Sequence, residues 1–259
     1  MKFFKYQGAG NDFIVVDNRD KKWHLSEQQI SGLCNRRTGI GGDGLMLLQE
    51  AQGYDFEMRY YNADGRLGSM CGNGGRCIVA FAYQLGLFEE FCTFLAYDGA
   101  HTASVKEQGR LVNLQMRDVD EIQAFGKDWV LDTGSPHYIK KVSQLDAYPV
   151  VQAGREIRNQ AAFPEGVNVN FIEPITHGYA VRTYERGVED ETLACGTGVT
   201  AVALAMAHEK QELGKQHTIL QVPGGTLKVT FNYLGGQQFR EVFLEGPAEL
   251  VFSGNVNLT

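Results

Sequence analysis

The sequence predicts an α+β protein of two pseudo-symmetric domains, each an antiparallel sheet wrapped around a central buried helix. Three observations carry that expectation. The tetrapeptide Cys-Gly-x-Gly occurs twice, at Cys71-Gly72-Asn73-Gly74 and Cys195-Gly196-Thr197-Gly198. Each copy opens an apolar run too uniform for a surface helix, Cys77 to Leu87 and Val199 to His208. The flanking positions keep register: Asn11 precedes Cys71 by 60 residues, and Ser135 precedes Cys195 by 60. Nearer the cysteines, Tyr61-Asn62 and Tyr184-Glu185 hold matching places. A period this long is a half-protein and not a solenoid repeat.

The elements follow from local signals. Strand-like runs rich in Val, Ile, Phe and Tyr cover Lys2 to Gln7, Phe13 to Asp17, Leu45 to Gln49, Asp55 to Tyr61 and Leu111 to Met116. The second half offers Tyr138 to Val142, Asn168 to Ile172, Tyr179 to Tyr184, Thr218 to Val222, Thr226 to Phe231 and Glu241 to Glu245. Ser26 is a candidate N-cap for a helix reaching about Asn35, which groups Ile30, Leu33 and Cys34. Gly86 is expected to stop the helix after Cys71. The polar stretch Asp118 to Asp128 is the expected hinge. The halves are therefore 1–120, carrying Cys71, and 121–259, carrying Cys195, with the last strand able to pack on the first half.

Composition bounds the function. A net charge of −7 argues against a nucleic-acid surface. No run is long and apolar enough to cross a membrane. Met1 to Gln7 lacks a signal-peptide core and reads as a strand. Five cysteines, an odd number, suit a reduced, cytoplasmic setting.

A cysteine at a helix start sits in the field of unpaired N–H groups, which favours thiolate. Cys71 and Cys195 share that context, which points to a paired thiol site. Cys34, Cys77 and Cys92 keep the ordinary reading of packing residues. Zinc is disfavoured because neither cysteine has a Cys-x2-Cys or His-x3–5 neighbour, so no metal is expected. A cysteine protease pairing with His137 would leave the repetition unexplained. The glycine-rich run Arg37 to Gly44 lacks the Gly-Lys-Ser/Thr of a phosphate loop.

Six motifs in order, Gly8-Ala9-Gly10-Asn11-Asp12-Phe13, Tyr61-Asn62-Ala63-Asp64-Gly65, Met70-Cys71-Gly72-Asn73-Gly74, Val167-Asn168, Tyr184-Glu185-Arg186-Gly187 and Ala194-Cys195-Gly196-Thr197-Gly198, resemble the diaminopimelate epimerase family over essentially the whole chain. The resemblance implies an active site in the cleft between the two domains. It implies interconversion of LL- and meso-diaminopimelate with no cofactor. It makes Cys71 and Cys195 the acid/base pair, with His137 and Glu185 an auxiliary catalytic pair nearby. Asn11, Asn62, Asn168 and Arg186 would bind the distal amino-acid end, with Glu185 close to substrate. Gly72, Asn73, Gly196 and Thr197 would hold the reacting carboxylate. The partner is thus a small diamino dicarboxylate. The oligomeric state stays open, a homodimer included. Ser135 stands where many members have Asn, and Gly44 where some have Gln. The rival readings are a proline or hydroxyproline-type racemase, and a non-enzymatic thiol redox sensor.

Overall fold

The structure is a computed structural model that describes residues 1–68 and 70–258. The chain divides into two compact units, Met1–Leu114 together with the chain from Gly246 onward, and Gln115–Glu245. The first unit holds β1 (Lys2–Gly8), β2 (Asn11–Asp17), α1 (Glu27–Cys34), β3 (Gly44–Gln49), β4 (Phe56–Asn62), α2 (Gly72–Gln84), β5 (Phe91–Ala96), β6 (Gly99–Lys106) and β7 (Leu111–Gln115). The second holds β8 (Ile122–Phe125), β9 (Asp128–Asp132), β10 (Pro136–Lys141), α3 (Val150–Arg158), β11 (Asn168–Ile175), β12 (Gly178–Glu185), β13 (Asp190–Thr192), α4 (Gly196–Lys210), β14 (Gly214–Val222), β15 (Gly225–Gly235) and β16 (Gln238–Pro247). The last strand, β17 (Glu249–Asn255), pairs antiparallel with β1 from Lys2↔Asn255 to Gln7↔Glu249, which is why the C-terminal segment belongs to the first unit.

Each unit has the same topology. In the first, strands run in the order β17, β1, β2, β3, β4, β5, β6, β7. In the second, the order is β8, β9, β10, β11, β12, β14, β15, β16. Antiparallel pairs dominate in both, and the parallel pairs fall at the same two places. These are β2–β3 and β4–β5 in one unit, β10–β11 and β12–β14 in the other. A parallel pair needs a crossover, and a helix supplies it each time: α1 and α2, then α3 and α4. The repeat read from cysteine spacing is thus a repeat of topology.

Helices α2 and α4 are the centres of their units. Helix α2 packs on β1 to β4 and β6, and α4 on β9, β10, β11, β14 and β15. Residues Cys77 to Ala82 are buried, as are Gly198 to Ala207. Phe81 packs its ring at a tilt against Phe4 and edge-on against Tyr6, at centroid distances of 4.8 and 6.0 Å. Full burial of such side chains contributes roughly 1.5–3 kcal/mol each. A second apolar layer covers the opposite sheet face. There Ile30, Leu33 and Cys34 of α1 meet Ile14, Val16, Leu45 and Leu47, and Val150 and Ile157 of α3 meet Val169, Phe171 and Tyr184. Strand β3 is buried at every position for that reason, so it reads as a continuous apolar run. Ser26 and Gln29 form the capping box that starts α1.

The expected hinge at 118–128 is corrected. That stretch holds β8, which pairs with β9, and lies inside the second unit. Val119 is buried and bridges Phe239, so its backbone is held in place.

Candidate active site

In each unit the site lies where strand ends meet the start of the buried helix. In the first unit, β2 and β3 begin, and β4 ends, at the same edge: Phe13 pairs Gly44, and Gly44 pairs Asn62. In the second, His137, the second residue of β10, lies opposite Asn168 of β11, and Val169 pairs Tyr184 near the end of β12. The two registers are equivalent, so Asn11 and Asn62 correspond to Ser135 and Glu185.

Cys71 and Cys195 are the N-cap residues of α2 and α4, both with extended backbone, at φ −110° and −119°. The Cys71 sulfur accepts the Gly74 N–H at 3.2 Å, an N-cap bond made by a thiol. The Cys195 sulfur lies 3.5 Å from Thr197 Oγ1. The second glycine of each motif makes room for the sulfur. A Cβ on Gly74 would stand 3.0 Å from Cys71 Sγ, and one on Gly198 would stand 3.3 Å from Cys195 Sγ.

A chain of fixed amides starts at Asn73, two residues past the first thiol. Asn73 Nδ2 donates to Asn11 Oδ1 at 2.6 Å, and Asn11 Nδ2 donates to Asp43 Oδ2 at 2.6 Å. Arg36 and Lys5 pair with Asp12, and Arg36 also pairs with Asp43. These cations hold the Asp12 carboxyl well below the usual carboxylate range, against the opposing effect of its partial burial. Asn62 stands exposed at the end of β4, its backbone N–H donating to Arg66 O at 2.9 Å.

Arg76 was not among the expected site residues. It is fully buried one turn into α2, donating to Gly72 O at 3.1 Å and Asn73 Oδ1 at 2.9 Å. Burial lowers its pKa to about 10, opposed by the neighbouring Cys77 and Cys71 thiols, so it remains a cation at neutral pH. A buried positive charge thereby adds to the helix N-terminal field at Cys71. The signal was present: an arginine inside an otherwise apolar helix is held for a reason.

The second unit builds its site around His137, which is wholly buried. Its Nε2 lies 2.9 Å from Thr197 Oγ1 and 3.0 Å from Ser135 Oγ, and its Nδ1 lies 3.1 Å from Asn170 Nδ2. Burial, aided by the Arg186 charge, lowers the His137 pKa to about 3, so the ring is neutral at pH 7. Asn168 Nδ2 donates to Ser135 Oγ at 3.1 Å, and its Oδ1 accepts the Arg186 N–H at 2.9 Å. Hydrogen bonds therefore join Ser135, His137, Asn168, Thr197 and Cys195, and Glu185 ends β12 beside Arg186. Asn170 and Thr183 were missed by the sequence reading. They face each other across β11–β12 in the core, and only their pairing there reveals them.

The other thiols fit packing roles. Burial pushes Cys34 up to about 11 and Cys92 up to about 12, and pushes Cys77 up further. Two surface hollows, one beside Tyr179 and Lys210 and one beside Phe4 and Trp23, include no expected site residue.

The family model described as diaminopimelate epimerase matches residues 3–121 and 129–251. The chain belongs to the diaminopimelate epimerase family. A diaminopimelate epimerase of Flavobacterium psychrophilum is 45% identical, covering 99% of this chain and 100% of its own. One of Chlorobaculum tepidum is 44% identical, covering 97% and 99%. Among solved structures, a PhzF-family phenazine biosynthesis protein of Bacillus anthracis aligns with a TM-score of 0.77 at 16% identity, covering 99% of each chain. A hydroxyproline epimerase of Agrobacterium vitis aligns at 0.68 and 14%, covering 98% of this chain and 91% of its own. At those identities the structural likeness speaks for the fold alone. Among the described residues, no helix is long and apolar enough to cross a membrane.

Proposed function

We propose that this chain interconverts LL- and meso-diaminopimelate by proton transfer at the α-carbon, with Cys71 and Cys195 as the two acid/base groups and no cofactor. The observation that carries the reading is the pair of thiols at matched N-caps of the two buried helices, in a chain of this family. One sulfur, as thiolate, takes the α-hydrogen as a proton and becomes a thiol. The other, as thiol, gives its proton to the opposite face and becomes thiolate. The reaction is balanced with no added reagent, and the roles exchange with direction. It requires the two units to present their sulfurs to opposite faces of one carbon. The ordinary thiol pKa near 8.5 keeps both forms accessible at working pH.

The weakly acidic α-hydrogen is the hard part. The N–H groups that open α2 and α4, at Gly72, Asn73, Gly196 and Thr197, are assigned to the reacting carboxylate, where negative charge develops. Asn11, Asn62, Asn168 and Arg186 are assigned to the distal amino and carboxylate groups. In support, Asn11 and Asn168 are already oriented by their own hydrogen bonds, so little ordering cost remains for binding. Glu185 and His137 are assigned to the surroundings of the thiols. The step serves amino-acid biosynthesis in the cytoplasm, where five free thiols stay reduced.

Incubation with LL-diaminopimelate in deuterated water, followed by chiral separation and mass measurement, tests the reading. Meso product carrying one deuterium at the inverted carbon is expected without added pyridoxal phosphate. No exchange, or exchange on proline in preference to diaminopimelate, would overturn it.

A further inference from the structure

The hydrogen bonds around His137 fix more than its position. Asn170 is fully buried, on β11, with Thr183 directly opposite on β12. Its Oδ1 accepts from Thr183 Oγ1 at 2.9 Å, and its Nδ2 is 3.2 Å from Tyr138 O and 3.1 Å from His137 Nδ1. A backbone carbonyl can only accept, so the contact with Tyr138 O decides which end of the amide is nitrogen. Turning the amide over would set two oxygens against each other in the core. With Nδ2 facing it, His137 Nδ1 must be the acceptor, because an N–H there would meet an N–H. The ring proton is therefore on Nε2, between Thr197 Oγ1 at 2.9 Å and Ser135 Oγ at 3.0 Å. Ser135 Oγ also takes a hydrogen bond from Asn168. The Thr197 hydroxyl, accepting from the ring, has its own proton to give either to Ser135 Oγ at 3.3 Å or to the Cys195 sulfur at 3.5 Å, and a thiolate is the stronger acceptor of the two.

We propose that Asn170 is a positioning residue that locks His137 as the Nε2–H tautomer, so that His137 and Thr197 form a one-way donor chain ending on the Cys195 sulfur. Such a chain stabilises Cys195 as thiolate, because a charged acceptor takes a stronger hydrogen bond than a neutral one. His137 in this arrangement donates a hydrogen bond and removes no proton. Its neutral ring fits that role, since the donor direction does not depend on ionisation across the working range. The catalytic meaning rests on the two-thiol reading of the function, whereas the tautomer itself does not.

The test is long-range ¹H–¹⁵N correlation of the histidine side chains in the full ¹⁵N-labelled chain at pH 7. The six histidines are separated by the signal that His137→Gln removes. The wild type is expected to show His137 protonated at Nε2 alone. Protonation at Nδ1, or at both nitrogens, would overturn the proposal. Asn170→Leu is expected to release the second tautomer and to slow iodoacetamide alkylation at Cys195, read by peptide mapping, by roughly 10–100-fold, as for loss of a hydrogen bond to a charged group. An unchanged tautomer with an unchanged rate would overturn it. Thr197→Val keeps the wild-type tautomer and is expected to slow alkylation by a similar factor, so the test survives if Asn170→Leu does not fold. An unchanged Thr197→Val rate would break the chain at its last link. A chain that fails to epimerise diaminopimelate yet shows the Nε2–H ring would retire the functional reading and leave the lock standing.

Discussion

Gly198→Ala is the sharpest single perturbation of the second-unit site. An ideal Cβ at 198 would lie 2.4 Å from Asn170 Oδ1 and 3.2 Å from Cys195 Cβ. Carbon–oxygen contacts ordinarily begin near 3.3 Å, so something must move by about 1 Å. The oxygen has no space to withdraw, because Asn170 is buried and its amide is held by Thr183, Tyr138 and His137. A shift of that size would stretch a 2.9 Å hydrogen bond beyond its useful range. Overpacking costs about 1–3 kcal/mol and an unmade buried hydrogen bond about 1–3 kcal/mol, offset by about 1 kcal/mol from replacing a helical glycine with alanine. The net expectation is a loss of about 1–5 kcal/mol, a large part of the stability of an ordinary protein at its middle and upper end.

The equivalent change in the first unit gives the control. A Cβ at Gly74 would meet Cys71 Sγ at 3.0 Å and the ends of Met46 and Met58 at 3.5 and 3.6 Å. Those neighbours are the ends of flexible side chains, so Gly74→Ala is expected to be destabilised by less than about 1 kcal/mol while it displaces the thiol. Urea unfolding midpoints and deuterium incorporation separate the outcomes. Both variants should turn over slowly, and Gly198→Ala should also unfold at clearly lower urea. Equal midpoints for the two variants would refute the close-contact reasoning.

Three further outcomes follow from the same geometry. Cys71→Ala and Cys195→Ala should each reduce epimerisation by roughly 10²–10⁴-fold with an unchanged circular dichroism spectrum, and Cys→Ser should be nearly as damaging; either alanine variant above about a tenth of the wild-type rate would refute the two-base assignment. Arg186→Met should lose most kcat/KM on diaminopimelate, while wild type should reject lysine, which lacks the distal carboxylate, by roughly 10⁴-fold; comparable turnover of lysine would dismiss the distal-end assignment. His137 should make the fold acid-sensitive. Its pKa is near 6.5 in the unfolded chain and about 3 in the fold, so below 6.5 the unfolded chain binds the proton first. Its contribution is complete above pH 6.5 and is lost as the pH falls toward 3. Urea midpoints at several pH values should show a shallower decline in His137→Gln, and an identical decline would count against it.

Legibility in the sequence followed how strongly each segment's burial was written into its residues. Strands β2 and β3 are buried on both faces and read as apolar runs, so their place was evident. Helix α1 announced itself through Ser26 and Gln29. A last strand packing on the first half was expected, but the bounds of β17 were not legible, because its residues are mostly exposed and it is held mainly by pairing with β1, far away in sequence. Strand β6, Gly-Ala-His-Thr-Ala-Ser-Val-Lys, has little intrinsic strand preference and is held by neighbours on both sides. Helix α3 was not among the expected elements: Val150, Gly154 and Ile157 fall on one face, but its β-branched Val-Val start and interior glycine are weak helix signals. The cysteines and His137 were legible through the repeat, and Asn168 through the family resemblance. Asn170, Thr183 and Arg76 act through buried contacts with those residues, which spacing alone does not disclose.

The two halves share topology and diverge in how they support the thiol. In the first, a buried arginine sits beneath the helix start, and fixed amides run from it through Asn73 and Asn11 to Asp43. In the second, no charge lies beneath Cys195 in the helix, since α4 is apolar to its last turn; a neutral histidine and two hydroxyls supply the donors instead. A two-base epimerase needs both thiols near the same working pH, but it does not need them supported identically. A full charge at one and a short hydrogen-bond chain at the other are two physical routes to the same end. Because one route is electrostatic and the other depends on donor geometry, Arg76→Met should slow alkylation at Cys71 and leave the Cys195 rate unchanged in the absence of substrate. Thr197→Val should do the reverse. Parallel loss at both sulfurs in either variant would mean that the two sites are not independently tuned, and the account of divergence between the halves would fail.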